Sequence, residues 1–409
     1  MSMYLVTAYR WGWLNGHQYQ VYTARLRRSS PALLCRSVTL LTNWCVESAH
    51  VVISINRFAA GTNATMDWMG HSRRWIALGI AIFSISFAAP TPASAQKISI
   101  GVLRLASSGA IFIAHDKGYF AAEGLETDIK PFTAAQQVPL AVTSGDVDFG
   151  VTGLTAGFFN LAGKGALKII AAQSREEPAF HLVGYMVSNV AYERGFHSLQ
   201  EFPGKRVGIT TVGSTLEYSL GLLARKYRFD IKSVTLVPLQ SLPNMAAAFK
   251  GGQVDAILAP ANVARQLEAD KAGRVLGWVG DETPWQLGAL FTSPRMIETR
   301  RPVVGKFIRA YLRATADYNR AFNSKDAAGK LMKSPGYDEL LAILAKWVQQ
   351  PPERVAEALP FVDAGGRLNV GDIYEQVAFW QRQGQVDPSV DAKTILDLSW
   401  VAGHYNLPH

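Results

Sequence analysis

A chain of 409 residues, 48% hydrophobic and 18% charged, has room for two or three domains and the composition of a globular protein. Its net charge of +9 is uneven: residues 1–65 hold six arginines against Glu47 alone, residues 66–95 add one positive charge, and +3 remains from Gln96 onward. That distribution gives no concentrated basic face for nucleic acid. With Cys35 and Cys45 both before residue 65, it also excludes a disulfide or cysteine metal site from the rest of the chain.

Residues 1–65 show no sustained periodicity and suit neither a domain nor a linker. After Met66 or Met69 comes Gly70-His-Ser-Arg-Arg-Trp75, then an apolar run from Ile76 to Ala89, then Pro90-Thr-Pro-Ala-Ser-Ala95. Basic, apolar and small-residue segments in that order predict a secretory signal peptide over 66–95, cleaved after Ala95. The apolar run falls short of the ~20 residues that span a bilayer. The expectation is an upstream extension over 1–65 that is not part of the protein, translation from Met66 or Met69, and an exported protein beginning at Gln96.

From there strands and helices alternate. Ile98–Leu103 is predicted as a strand, Ala110–Lys117 as a helix stopped by Gly118, Thr127–Phe132 as a strand, Ala134–Ser144 as a helix stopped by Gly145, and Val147–Val151 and Leu167–Ala172 as strands. After an irregular stretch and the apolar strand Leu182–Val187, the plan repeats. Strands are expected at Arg206–Thr210, Ser233–Leu239, Val254–Leu258 and Arg274–Trp278, with helices at Ser214–Arg228, Pro243–Lys250 and Ala261–Ala269. Shifting the chain by 107 positions superposes Gly101 on Gly208, Ser107 on Ser214, Pro131 on Pro238, Ala141 on Ala248, and Gly145, Val147 and Asp148 on Gly252, Val254 and Asp255. These landmarks fall at strand ends, helix starts and helix stops, where backbone geometry restricts residue choice. Two similar α/β lobes follow, 96–177 with 290–409 and 178–289, joined by two crossovers at Leu182–Val187 and Trp285–Thr292. Beyond Pro294 the pattern is helical: Val303–Phe322, Ala327–Met332, Asp338–Val348, Glu353–Leu359, Ile373–Gln383 and Ile395–Val401, a layer expected on the first lobe.

In doubly wound lobes that face each other, ligands bind at the carboxyl ends of the strands. Ser107 and Ser108 follow the first strand of one lobe, Gly213, Ser214 and Thr215 that of the other, each before a helix whose free N–H groups cap on a hydroxyl or bind an anion. Other strand ends contribute Thr133, Gln136, Thr152, Thr155, Gln173, Asn244, Pro260 and Asn262, while Arg104 can pair with an acidic ligand. Trp278 and Trp285 could stack on a ligand or pack in the core, and the lone His115 and His181 are assigned no chemistry. Asp148 and Asp255, at equivalent positions, read as structural turn residues. No G-x-S-x-G, H-E-x-x-H or phosphate-binding G-x-x-x-x-G-K-S/T motif occurs, so no catalytic residue, cofactor or metal is expected.

Taken together, Gly118-Tyr-Phe-Ala-Ala-Glu-Gly-Leu125, Ser144-Gly-Asp-Val-Asp-Phe-Gly150, Gly204-Lys-Arg-Val-Gly208, Gly213-Ser-Thr215 and Gly252-Gln-Val-Asp-Ala256 resemble the periplasmic solute-binding proteins of ABC transporters of the nitrate, taurine and alkanesulfonate type. The resemblance runs in register from Lys97 to Lys325. It implies a type II periplasmic-binding-protein fold, capture of a small molecule by hinge closure, a periplasmic monomer, and delivery to an ABC permease with its ATPase. It also implies ligand contacts from the loop after the first strand, from Thr152 to Thr155, and from Gly213-Ser-Thr215. Where the family often has Trp or an acidic residue before Pro, this chain has Leu258-Ala259-Pro260, which favours a small organic anion, such as a sulfonate or carboxylate, over an amine-bearing ligand. The competing readings are a pyrimidine-precursor biosynthetic enzyme on the same fold, whose Cys-rich motif has no counterpart here, and a ligand-loaded partner of a membrane sensor.

Overall fold

In the computed structural model the described residues are 8–14, 17–23 and 95–406. The chain divides into two units, Met1–Phe87 and Ala88–His409. In the first, Ala8–Leu14 and His17–Thr23 pair as an antiparallel hairpin, an element not expected from a stretch without clear periodicity. The expected signal peptide lies outside the described residues except for Ala95.

The second unit is built on ten strands: β1 (Gln96–Leu103), β2 (Leu125–Phe132), β3 (Phe149–Gly153), β4 (Lys168–Ala172), β5 (Val183–Ser188), β6 (Arg206–Ile209), β7 (Thr235–Pro238), β8 (Ala256–Pro260), β9 (Gly273–Trp278) and β10 (Gly288–Thr292). They form two five-stranded sheets, ordered β2-β1-β3-β10-β4 and β7-β6-β8-β5-β9. The two orders are the same once each strand is matched to its counterpart. Within each lobe the first three strands are parallel, while the strand arriving from the other lobe inserts antiparallel between the third and fourth. The sheets are therefore mixed, each crossover strand lying antiparallel to its neighbours. The inserted strands β5 and β10 are wholly buried, which is why their sequences are continuous apolar runs and carry no alternation.

The 107-residue repeat has a physical basis. Asp148 Oδ2 accepts the Ser99 N–H at 2.8 Å, and Asp255 Oδ2 accepts the Arg206 N–H at 2.8 Å. Each aspartate returns its own N–H to the same partner's carbonyl. Just upstream, Gly145 (φ 85) and Gly252 (φ 68) both end a helix in the left-handed region, which glycine enters without a Cβ penalty. The strands after these turns start two residues later than expected, because Val147 and Asp148, like their counterparts, are held in the turn.

Helices cover the sheets. Those used below are α1 (Gly109–Asp116), α2 (Gln137–Ser144), α3 (Ala156–Gly163), α4 (Thr215–Tyr227), α5 (Leu242–Lys250), α6 (Ala261–Ala269), α7 (Arg301–Phe322), α8 (Tyr337–Val348) and α9 (Val370–Arg382). Helices α7 and α8 pack on the first lobe: Phe307 stacks on Phe149 at 3.9 Å between centroids, and the Tyr311 hydroxyl donates to the Ala172 carbonyl. Helix α9 reaches both lobes: it packs against α3 of the first, while in the second its Phe379 covers Gly221 of α4 and Phe379 and Trp380 meet Tyr218. Two predicted helices are absent. Asp326 accepts the N–H groups of Ala328 and Lys330, closing a turn at 325–331, and Asp397 accepts the Ser399 N–H and the Trp400 indole N–H, leaving only a short 3₁₀ turn at Leu398–Trp400. In both places an Asp side chain satisfies backbone donors that a helix would otherwise use.

The crossovers pair with each other. Glu176 and Trp285 exchange backbone hydrogen bonds, and Gln173 N–H donates to the Gly288 carbonyl. Helix α9 fastens them: Asp372 Oδ2 accepts the Gln286 N–H at 2.6 Å, and Gln376 Nε2 donates to the Gln286 carbonyl at 2.7 Å. The Glu176 carboxyl is fully buried there, its pKa pushed well up by burial; the N–H groups of Val183 and Gly280 approach it without closing to full hydrogen-bond geometry.

Candidate ligand cleft

The carboxyl ends of β1, β3 and β8 converge on the seam between the sheets, and a cavity of about 60 Å³ lies there. Its polar wall consists of Ser107, Thr152, Gln173, Thr210, Thr215 and Asn262, drawn from both lobes and the first crossover. The remainder is apolar, with Leu103, Leu105, Leu182, Leu242 and Leu287 prominent, and no charged side chain lines it. Where no formal charge is present, the first turns of the helices supply the positive potential. Thr215 and Leu216 open α4 and Asn262 lies in the first turn of α6. Their N–H groups meet no protein acceptor. Gln173 is buried and its Oε1 has no partner, so its amide is free to turn either end toward a bound group.

Of the candidates read from the sequence, Ser107, Thr152, Gln173, Thr215, Pro260 and Asn262 meet at this cavity. Arg104 and Thr133 do not; with Asn262 they line an adjoining groove of about 420 Å³ that shares Leu103, Leu105 and Leu242 with the cavity. Gln136 ties the lobes together, its Nε2 donating to the Gln240 carbonyl at 3.2 Å. The others serve the backbone. Thr155 and Ser214 cap α3 and α4 through their hydroxyls, and Asn244 donates its N–H to Ser241 Oγ and is exposed. Ser108 sits at the start of α1 with its Oγ buried and unpartnered, away from the cavity wall.

Gly213 is engaged by its own loop. Its N–H donates to Glu217 Oε2 at 2.7 Å, its carbonyl accepts the Ala156 N–H at 2.8 Å from the opposite lobe, and Glu217 Oε1 accepts from Gln385. Burial raises the Glu217 pKa, while the Gly213 N–H and the Gln385 amide hold it back. Within Gly213-Ser-Thr215, only Thr215 therefore lines the cavity.

Sequence reasoning missed the apolar half of the wall. Leu105 and Leu242 were visible as apolar residues inside loops that follow strands, an unusual placement that could have marked them. Leu182 and Leu287 come from the crossovers and carry no such signal. Trp278 and Trp285 line neither space: Trp278 stacks on His181 at 4.4 Å with the Arg265 guanidinium 4.6 Å from its ring, and Trp285 packs on Tyr218. Among the described residues no group of His, Cys, Asp and Glu could hold a metal.

Two α/β lobes of like topology, paired crossovers and a lined space at the seam define the architecture of a periplasmic-type binding protein. The chain belongs to the NMT1/THI5 like family, which it matches over residues 106–321. A Brucella abortus protein named as a binding protein is 27% identical over 187 residues, 45% of this chain; the match spans about half (53%) of that relative's length. Among solved structures, the fold is similar to the alkanesulfonate-binding protein SsuA from Xanthomonas axonopodis pv. citri bound to MOPS (TM-score 0.61, 19% identity, 75% of this chain and 100% of the other). It is also similar to the periplasmic nitrate-binding protein NrtA from Synechocystis (TM-score 0.60, 13% identity, 73% and 84%). Each of these three is named as a binding protein.

Proposed function

We propose that this chain is the extracytoplasmic solute-binding component of an ABC importer, and that it captures a small organic anion between its lobes by hinge closure. The observation that carries the reading is the cavity wall itself. Two helix starts with free N–H groups, the hydroxyls of Ser107, Thr152 and Thr215, and an absence of carboxylates favour an anionic head group. Leucines from both lobes and both crossovers suit an organic remainder, and crossovers paired by only a few backbone bonds suit a hinge. Export through the 66–95 segment, action as a monomer, and delivery to a permease with its ATPase belong to the same proposal.

A thermal-shift screen of sulfonates, carboxylates and nitrate, followed by titration calorimetry, tests it. A ligand at 100 times its Kd is expected to stabilise the protein by about 2.7 kcal/mol. Ser107→Ala and Thr215→Val are each expected to weaken binding about tenfold or more, the cost of a hydrogen bond to a charged group. If no member of these classes shifts the melting temperature, the reading fails.

A further inference from the structure

We propose that the chain carries a second ligand site, one for an aryl carboxylate, in a pocket of about 370 Å³ where α6 of the second lobe meets the C-terminal helices that cover the first. The pocket shares no wall residue with the seam cavity or its adjoining groove, so the proposal does not depend on what the seam binds. Sites for small organic molecules run to roughly 300–1,000 Å³, and this pocket is large enough to house one alone.

The apolar wall follows from a turn. Because Asp326 takes the N–H groups of Ala328 and Lys330, the chain folds back after α7, and Leu331, Met332 and Lys333 line the pocket with Phe322 and Tyr337, the residues that end α7 and begin α8. Phe322 and Tyr337 meet edge to face at 5.2 Å, and Leu359 completes the wall. Leu331 and Met332 are among the few large apolar side chains left exposed. A flat ring in the pocket covers both, extends the Phe322–Tyr337 pair and meets the polarizable Met332 sulfur.

The polar groups select the head. Arg265 lies 4.6 Å from the Trp278 ring; its Nη1 pairs with Glu268 at 3.1 Å, its Nη2 donates to His181 Nδ1 at 3.4 Å, and its Nε is buried with no acceptor. A guanidinium only donates, so His181 Nδ1 accepts. Burial, with Arg265 beside it, lowers the His181 pKa, which leaves a neutral ring whose proton sits on Nε2. Lys333, held only loosely by Asp338 at 3.8 Å, and the Tyr337 hydroxyl add further donors. The pocket's one carboxylate, Glu357, is exposed and turned to Arg354 at 3.5 Å. Two fixed cations and a neutral imidazole donor against a single engaged acceptor suit a carboxylate head and disfavour an ammonium one, and such a head satisfies the buried Arg265 Nε.

The test titrates the whole chain, labelled with [methyl-13C]methionine, with benzoate and phenylacetate, and with benzylamine and cyclohexanecarboxylate as controls. The aryl acids are expected to bind with Kd below about 1 mM and to move the Met332 methyl resonance, the controls to bind about tenfold more weakly. Met332→Glu, which puts a carboxylate on the wall at an exposed position and assigns the resonance by its loss, is expected to weaken aryl-acid binding about tenfold or more, as is Arg265→Gln, whereas the seam substitutions Ser107→Ala and Thr215→Val change it by no more than about twofold. The site is overturned if neither acid binds, or if binding leaves the Met332 resonance in place and is lost in the seam variants. Equal binding of benzylamine would overturn the carboxylate head, and equal binding of cyclohexanecarboxylate the aromatic body. The methyl resonance reports on the unmodified chain, so the site stands or falls even where a variant folds poorly.

Discussion

The two lobes share a frame and differ in what they hang on it. Strand order, the inserted antiparallel strand, the aspartate tie and the left-handed glycine are common to both. The loops after the first strands are not. In the second lobe, Ser214 caps α4 and Glu217 binds the Gly213 N–H, so that loop is held from within and leans on Ala156 across the seam. In the first, Ser108 begins α1 without a capping bond, and Ser107 reaches the cavity. The repeat therefore preserves what positions the strands, and the cleft is asymmetric: one wall is a braced loop and the other is not.

The largest effect expected from perturbing this comparison concerns the shared frame. Asp148 accepts from the N–H and hydroxyl of Ser99 and pairs with Arg300 at 3.4 Å, whereas Asp255 adds only its half-exposed neighbour Arg206 to the backbone bond. Asp148→Ala is expected to cost about 2–3 kcal/mol and Asp255→Ala about 1–2 kcal/mol, since each leaves a strand N–H without its acceptor. Urea unfolding would show it, and equal losses would mean that the Arg300 contact adds nothing.

A smaller effect, on affinity alone, probes the asymmetric seam. A Cβ on Gly153 of the first lobe would lie 2.7 Å from Thr215 Cγ2 of the second. Gly153→Ala is expected to hold the lobes apart and weaken anion binding about tenfold, with the unliganded melting temperature nearly unchanged. Adding Thr215→Ser removes the clashing methyl group but keeps the hydroxyl, and should restore most of the affinity. Without that rescue, the close approach of Gly153 to Thr215 is not what limits affinity.

Legibility followed the same division. The frame could be read because Gly145, Asp148 and their counterparts answer to local backbone geometry, which leaves a mark in a single sequence. The insertion of β5 and β10 could not, since buried apolar runs such as Val183–Ser188 specify burial but neither neighbour nor direction. At the cleft, six of the residues that follow strand ends meet at the cavity. Which hydroxyl faces the cavity and which caps a helix depended on partners far along the chain. Glu217 occupying the Gly213 N–H, and Gln385 reaching Glu217 from beyond α9, have no local signature.

The crossovers follow neither lobe's pattern, and the smallest expected effect lies there. Folded Glu176 keeps its proton at pH values where an unfolded glutamate, with an ordinary pKa near ~4.3, has lost it. Over that window the folded state binds more protons than the unfolded one, so stability declines as pH rises. The contribution is complete below the ordinary carboxyl range and is lost as pH climbs toward the raised value. Glu176→Gln removes the titration while nearly preserving shape. Its melting temperature relative to the parent is therefore expected to climb with pH between pH 4 and pH 8. The sign separates this crossover carboxyl from Asp255, whose pKa is lowered because the Arg206 hydrogen bonds outweigh burial, and whose contribution fades in acid instead. A difference between variant and parent that stays constant with pH would mean that Glu176 ionises freely in the folded crossovers, and that the buried crossover pair opens far more readily than its packing against Gly280 and Trp285 implies.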